Sequence, residues 1–191
     1  MNFSKYNAGD ILCRQEDACK ELLFVLTGTV SVTTTAADAT YTMTEFVNAP
    51  FLIEVFSMFG LDTRYSGTYT AYTPVSTVSI RKSFVRDVLL KYDIFRLNYI
   101  NATSYRAKLY RRCQWRALPD TEEGRLKDFI LSHTQHPEGE KRLRIKMSTL
   151  GNILNISRVG VSHILNEMRE EGLLKLQRGQ IVVPDAALLQ P

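Results

Sequence analysis

Residues 147–171 read Met-Ser-Thr-Leu-Gly-Asn-Ile-Leu-Asn-Ile-Ser-Arg-Val-Gly-Val-Ser-His-Ile-Leu-Asn-Glu-Met-Arg-Glu-Glu. Two amphipathic helices and a tight turn account for this stretch. Ser148 is expected to cap a helix over 149–154, with Leu150 and Leu154 on one side at i, i+4. Gly151 costs that helix about 1 kcal/mol relative to Ala, which predicts a packing reason: a second helix crossing closely. Asn155 falls where the turn needs a residue tolerant of left-handed dihedrals. Ser157 then caps a second helix that turns Val161, Ile164, Leu165 and Met168 inward. Its other face offers Arg158, Val159, Ser162, His163 and Asn166. Residues 172–183, Gly-Leu-Leu-Lys-Leu-Gln-Arg-Gly-Gln-Ile-Val-Val, read as a hairpin turning at Arg178-Gly179. A helix-turn-helix followed by such a hairpin is a winged helix. The competing reading is a small helical bundle beside an unrelated hairpin.

Charge supports a polyanionic partner for this half. Residues 1–92 carry 8 Lys and Arg against 9 Asp and Glu, whereas residues 93–191 carry 16 against 11. Residues 141–166 hold Lys141, Arg142, Arg144, Lys146 and Arg158 and no acid. Phosphate contacts supply most sequence-independent affinity for nucleic acid, and such a tract suits them. A solvated surface with ordinary charge clustering is the plainer alternative.

The N-terminal half reads differently. Alternating runs at 10–13, 22–26, 29–35, 40–46, 65–72 and 75–80 are separated by turn residues, which predicts a barrel, roll or sandwich of short strands. A short helix is expected at 83–90. From 93 to 116 there is neither Gly nor Pro, and Phe95, Tyr99, Ala102, Leu109 and Cys113 recur at helical spacing. A second partial stripe, Ile94, Leu97 and Ile100, widens the apolar arc. A helix of about 24 residues is about 36 Å long. That is more apolar length than a small roll covers, so self-association through this helix is expected, packing within one chain being the alternative. Pro119 ends it. Asp120 or Thr121 caps a further helix running to about 132, and 133–140 is a loop. The domains expected are thus 1–92, 93–116 and 117–191.

With 191 residues, 45% hydrophobic and 23% charged, the chain has the composition of a globular protein rather than a disordered, collagenous or coiled-coil one. The longest apolar run is five residues, 22–26, too short to cross a membrane. The first ten residues lack the apolar core of a signal peptide, and Cys13, Cys19 and Cys113 are an odd, sparse set. A cytoplasmic location is expected.

The chain resembles the Crp/Fnr family of bacterial transcription regulators over nearly its whole length. The resemblance is carried by Tyr6-Asn-Ala-Gly-Asp-Ile-Leu and Glu21-Leu-Leu-Phe-Val-Leu-Thr-Gly-Thr-Val-Ser-Val in the first half. In the second half it is carried by Ile145-Lys-Met-Ser, Ile164-Leu-Asn-Glu-Met-Arg-Glu-Glu-Gly-Leu-Leu and Gly179-Gln-Ile-Val-Val. It implies an α+β protein: an N-terminal β-roll (a cyclic-nucleotide-binding-like jelly roll), a long dimerisation helix and a C-terminal winged helix-turn-helix. It further implies a homodimer that binds double-stranded DNA, an effector sensed by the roll, and RNA polymerase as a further partner. By that reading Ser157, Arg158, Val159, Ser162, His163 and Asn166, with Lys146 and Arg178, face DNA.

In nucleotide-binding members the phosphate cassette has a Gly-Glu pair and, ten residues on, an Arg followed by a small hydroxyl residue. Here Glu54 and Arg64 keep that spacing, but Ile53 replaces the glycine and Tyr65 the small residue. Glu54, Arg64 and Tyr65 are the candidate effector residues, and the effector is not expected to be cyclic AMP. Glu54 and Arg64 forming a structural ion pair, or lying on the surface, is the alternative. An apolar effector near 55–59, or none, is a further reading. An iron–sulfur cluster needs four thiolates, and no His precedes His133 to serve a metal-dependent roll enzyme or a haem, for which Cys13, Cys19 and Cys113 are the remaining candidate ligands. No nucleophile–base spacing or phosphate-binding loop suggests an enzyme. The competing function is a ligand-sensing module whose winged helix contacts protein.

Overall fold

The computed structural model describes residues 1–191 apart from Arg116, Leu118, Pro137 and Pro191, and apart from the side chains of Cys113 and Gln114. The strands of the first half are β1 (Asn2–Tyr6), β2 (Ile11–Cys13), β3 (Glu21–Thr27), β4 (Thr29–Thr35), β5 (Tyr41–Asn48), β6 (Phe51–Ile53), β7 (Thr68–Ala71) and β8 (Val75–Arg81). They are followed by α1 (Lys82–Asp87), the long α2 (Asp93–Gln114), α3 (Glu122–Ser132), β9 (Lys141–Ile145), α4 (Met147–Leu154), α5 (Arg158–Glu170), β10 (Lys175–Gln177) and β11 (Gln180–Val183). The elements form two compact units that do not follow chain order. One is Met1–Val32 with Val47–Arg116; the other is Thr33–Phe46 with Ala117–Pro191.

The first unit is a two-layered roll. One layer has the order β1-β8-β3-β6, with β3 pairing antiparallel to both β8 and β6. The other runs through β4, β7 and β2. Alternation along each strand sends Leu22, Val25, Val30, Val32, Ile53, Tyr69, Ala71 and Val75 into one core. Strands β1 and β6, absent from the sequence reading, are short edge strands. Helix α2 packs on this unit through Phe95 and Tyr99. The Tyr99 hydroxyl donates to the Val55 carbonyl (2.6 Å), and its ring meets Phe59 edge-on at 5.8 Å. The apolar stretch 55–59 is thereby committed to packing: a single 3-10 turn, Val55–Ser57, leads into Met58, which has no exposed surface.

The second unit is a winged helix extended by one hairpin. Its sheet has the order β10-β11-β9-β5, and β5 pairs antiparallel to β9 from Tyr41↔Ile145 to Glu45↔Lys141. Met43 and Leu143 face each other inside the core built from α3, α4 and α5. Residues 141–145 read as a basic tract in sequence; in the structure they are a half-buried strand whose first residue, Lys141, is fully buried. Lys141 therefore cannot serve a polyanion, and Arg142 stacks on Phe46 at 4.6 Å. The cap expected at Ser148 is also corrected. Helix α4 starts at Met147 with Lys146 at its N-cap and no side-chain cap, because the backbone emerging from β9 enters the helix directly.

Candidate functional site

The turn between α4 and α5 is built as its residues dictate. Asn155 is left-handed (φ 54°, ψ 50°), and a Cβ at Gly151 would lie 2.7 Å from the Ile156 carbonyl oxygen. No larger residue fits there without moving backbone. Ser157 caps α5 by accepting from the Gly160 N–H at 3.0 Å. Val161, Ile164, Leu165 and Met168 are buried, which fixes the opposite face of α5 outward. On that face Arg158, Val159, Ser162 and His163 are exposed and Asn166 is half-buried. Asn166 donates its amide to the Ser162 carbonyl at 2.8 Å, and His163 Nδ1 lies 3.1 Å from Glu167.

Beside the start of α5 lies a groove of about 640 Å³ into which Arg144, Lys146, Ser148 and Arg158 converge with Gln177 from the hairpin. Three cations thus line one groove, which also takes in the first residues of α4 and of α5. Arg178 is exposed at the hairpin turn, where Gly179 takes φ 74°. The structure brings Lys146 and Arg158 to the same groove. Arg144, counted in sequence only as part of the basic tract, belongs with them.

The three residues singled out in the roll are not brought together. Glu54 is buried, whereas the Arg64 guanidinium is exposed and pairs with Glu16 at 3.2 Å. The ion pair between Glu54 and Arg64 considered from sequence does not form. The Tyr65 ring is in the core, and its hydroxyl donates to the Glu21 carbonyl at 3.4 Å. What surrounds Glu54 was missed in sequence: Ser57, Ser66, Gly67 and Tyr69 all donate to its carboxylate. Its backbone is left-handed (φ 33°), a conformation that costs a residue with a Cβ about 1–2 kcal/mol. Cys13 and Cys19 are buried, and desolvation pushes both thiols above their usual range, so neither offers a thiolate near neutral pH.

Of the residues expected on the self-association face, Phe95 and Tyr99 are packed on the roll, Ala102 is exposed, Leu109 is half-buried, and the Cys113 side chain lies outside the described residues. At 100° per residue Ile94, Leu97 and Tyr105 share a different, outward face, and each is more than half exposed.

Comparison with known proteins gives the fold its context. A solved transcriptional regulator from Thermotoga maritima is 19% identical with a TM-score of 0.53, over 58% of this chain and 86% of that one. The catabolite activator protein of Thermus thermophilus is 21% identical, TM-score 0.53, over 98% and 87%. A CooA mutant from Carboxydothermus hydrogenoformans is 17% identical, TM-score 0.51, over 98% and 85%. At such identities these likenesses establish the fold. No curated protein sequence matches the chain. Two family models do match: a cyclic nucleotide-binding domain over residues 3–92 and a Crp-like helix-turn-helix domain over residues 124–191. With one model on either side of α2, and together spanning most of the sequence, the chain belongs to the Crp/Fnr family of bacterial transcription regulators.

Proposed function

We propose that this chain is a cytoplasmic, sequence-specific DNA-binding transcription regulator that acts as a homodimer and is not an enzyme, with residues 1–92 as its sensor, 93–116 as its dimerisation helix and 117–191 as its DNA-binding part. The observation that carries the reading is the start of α5: a Ser157-capped helix whose Arg158, Val159, Ser162 and His163 are exposed beside Arg144 and Lys146. In a major groove Arg158 donates bidentately to guanine, a contact that discriminates by about 1–3 kcal/mol, and Val159 packs on a thymine methyl. Lys146, Arg144 and Arg178 contact phosphates, as does Ser157 at the helix N-terminus. Two such helices about a dimer axis read an inverted repeat with half-sites one helical turn apart.

Dimerisation uses the outward face of α2, with Ile94, Leu97 and Tyr105 at its centre and Ala102 and Leu109 at its border. Phe95 and Tyr99 support the helix from the roll side. Burying a leucine contributes about 1.5–3 kcal/mol, so Leu97→Glu weakens the dimer at least tenfold, read by sedimentation.

Selection of genomic fragments on the purified protein tests the whole reading. Inverted repeats are expected, held in a salt-sensitive complex. Arg158→Ala relaxes preference at one base pair per half-site, whereas Lys146→Ala weakens all sequences about equally. Fragments without two-fold symmetry, or retention by a protein partner with no DNA retained, refute it.

A further inference from the structure

Helix α2 carries its charge on one side only. Residues 94–119 hold six cations and no acid. Two of the six are accounted for locally: Arg96 pairs with Asp93 at 2.6 Å, and Arg106 lies half-buried over the Phe56 ring at 5.9 Å. Lys108, Arg111 and Arg112 are exposed, and among the described residues none of them has an ion-pair partner. The helix dipole favours Arg111 and Arg112 in the last turn but does not neutralise them. At 100° per residue Lys108 and Arg112 fall within about 40° of Ile94, on the outward face that also carries Leu97 and Tyr105. Trp115, the C-cap of α2 and the one tryptophan of the chain, continues that face and is exposed. The outward face of this helix is thus apolar where it starts and cationic where it ends.

We propose that the second half of this face is an anion-dependent joint: in the dimer, Lys108 and Arg112 of the two copies close around a small polyvalent oxyanion of the phosphate class. The inference rests on the reading of α2 as the dimerisation helix. Antiparallel copies would press Arg112 against Ile94 and desolvate a cation on apolar surface, so the copies run parallel, like facing like. In ordinary helix pairs a charge beside the seam meets an opposite charge on the other helix. Here the acid-free stretch supplies none, and four cations gather about one axis. Helices packed about 8–10 Å apart lie within about one Debye length at physiological ionic strength, so chloride screens only part of the repulsion. An oxyanion with two or more charges cancels the rest, and the planar guanidinium of Arg112 donates to it in bidentate fashion.

Sedimentation of the full chain tests this, with inorganic pyrophosphate as the probe and chloride at equal ionic strength as the control. Pyrophosphate is expected to tighten the native dimer about tenfold. The double variant Lys108→Gln with Arg112→Gln, both positions exposed, is expected to dimerise tighter by about the same factor in chloride alone and to lose the response to pyrophosphate. The fluorescence of Trp115 gives a second reading: pyrophosphate should shift it in the native protein and not in the double variant. Equal dimer affinities of native protein and variant in chloride, or equal responses to pyrophosphate by either reading, overturn the proposal. So does association driven by a random-sequence DNA duplex and not by pyrophosphate. Leu97→Glu keeps the joint and the dimerisation helix apart. If it leaves the dimer intact, α2 is not the seam and both readings fall; if it disrupts the dimer while pyrophosphate has no effect, the anion joint alone falls.

Discussion

Among the described residues two carboxylates are buried, one in each unit, and they are satisfied in different ways. Glu54 in the roll is surrounded by neutral donors drawn from one short stretch, 57–69. Glu45 in the second unit accepts from the N–H groups of Gln135 and His136 and also faces the ammonium of Lys141 at 3.8 Å. Lys141 in turn donates to the carbonyls of Glu138 and Gly139 at 2.7 and 3.1 Å. The first arrangement leaves one net negative charge inside a local loop. The second cancels its charge and is assembled from segments far apart in the chain. The first ties together one loop of the roll; the second ties strand β5 to strand β9.

The largest test of this contrast removes one member of the pair. Lys141→Met should destabilise the second unit by about 3–5 kcal/mol in chemical denaturation, because Glu45 is left charged and buried. Replacing both residues, Glu45→Leu with Lys141→Met, should recover part of that loss, since no buried charge remains unpaired while the N–H groups of Gln135 and His136 lose their acceptor. If the double replacement is as damaging as the single one, the strands are held by something other than charge pairing.

Next comes Glu54→Gln. Hydrogen bonds to a charged group are worth about 1.5–3 kcal/mol, but the hydroxyls of Ser57, Ser66 and Tyr69 can rotate to new partners. A loss of about 2 kcal/mol confined to the roll is expected, smaller than that of Lys141→Met.

Dependence on pH separates the units with the smallest effects and opposite signs. Burial holds Lys141 below the usual lysine value, with Glu45 opposing. The unfolded chain therefore binds this proton more readily than the folded one. The stability Lys141 contributes should rise with pH in the window below 10.5, and Lys141→Met should abolish that rise. Tyr99 is pushed by burial from 10 up to about 12. It keeps its proton when folded after the unfolded chain has begun to lose it, so its contribution is lost between pH 10 and 12. Unfolding followed across that range should show this loss in the native protein and not in Tyr99→Phe.

How much of this could be read in the sequence depended on how local each cause was. The α4–α5 turn was legible because Gly151, Asn155 and Ser157 each act within a few residues: a close carbonyl, a left-handed turn, a cap. Strand β9 was not. Lys141-Arg-Leu-Arg-Ile alternates as a half-buried strand should, yet its charges look like a DNA-facing tract until Glu45 is placed opposite Lys141. At Glu54 the departures at Ile53 and Tyr65 announced that a nucleotide was not expected. They did not reveal that Ser66, Gly67 and Tyr69 would close on the carboxylate, because loop geometry decides that. On α2 the periodicity located an apolar helix but could not say which stripe the roll would take. Tyr99 and Phe95 went inward and Ile94 and Leu97 stayed out.

The pairing of β5 with β9 bears on how this protein can be cut and recombined. Modular regulators invite the exchange of one recognition module for another at a single crossover point. Here such a graft, taken from residue 117 onward, would carry β9 with a bare edge ready to pair with a neighbouring chain, and Lys141 without its carboxylate. The portable piece is discontinuous: it needs the ribbon 33–46, whose ends run into the strands of the roll. A useful chimera of this chain therefore has to be spliced at three points rather than one.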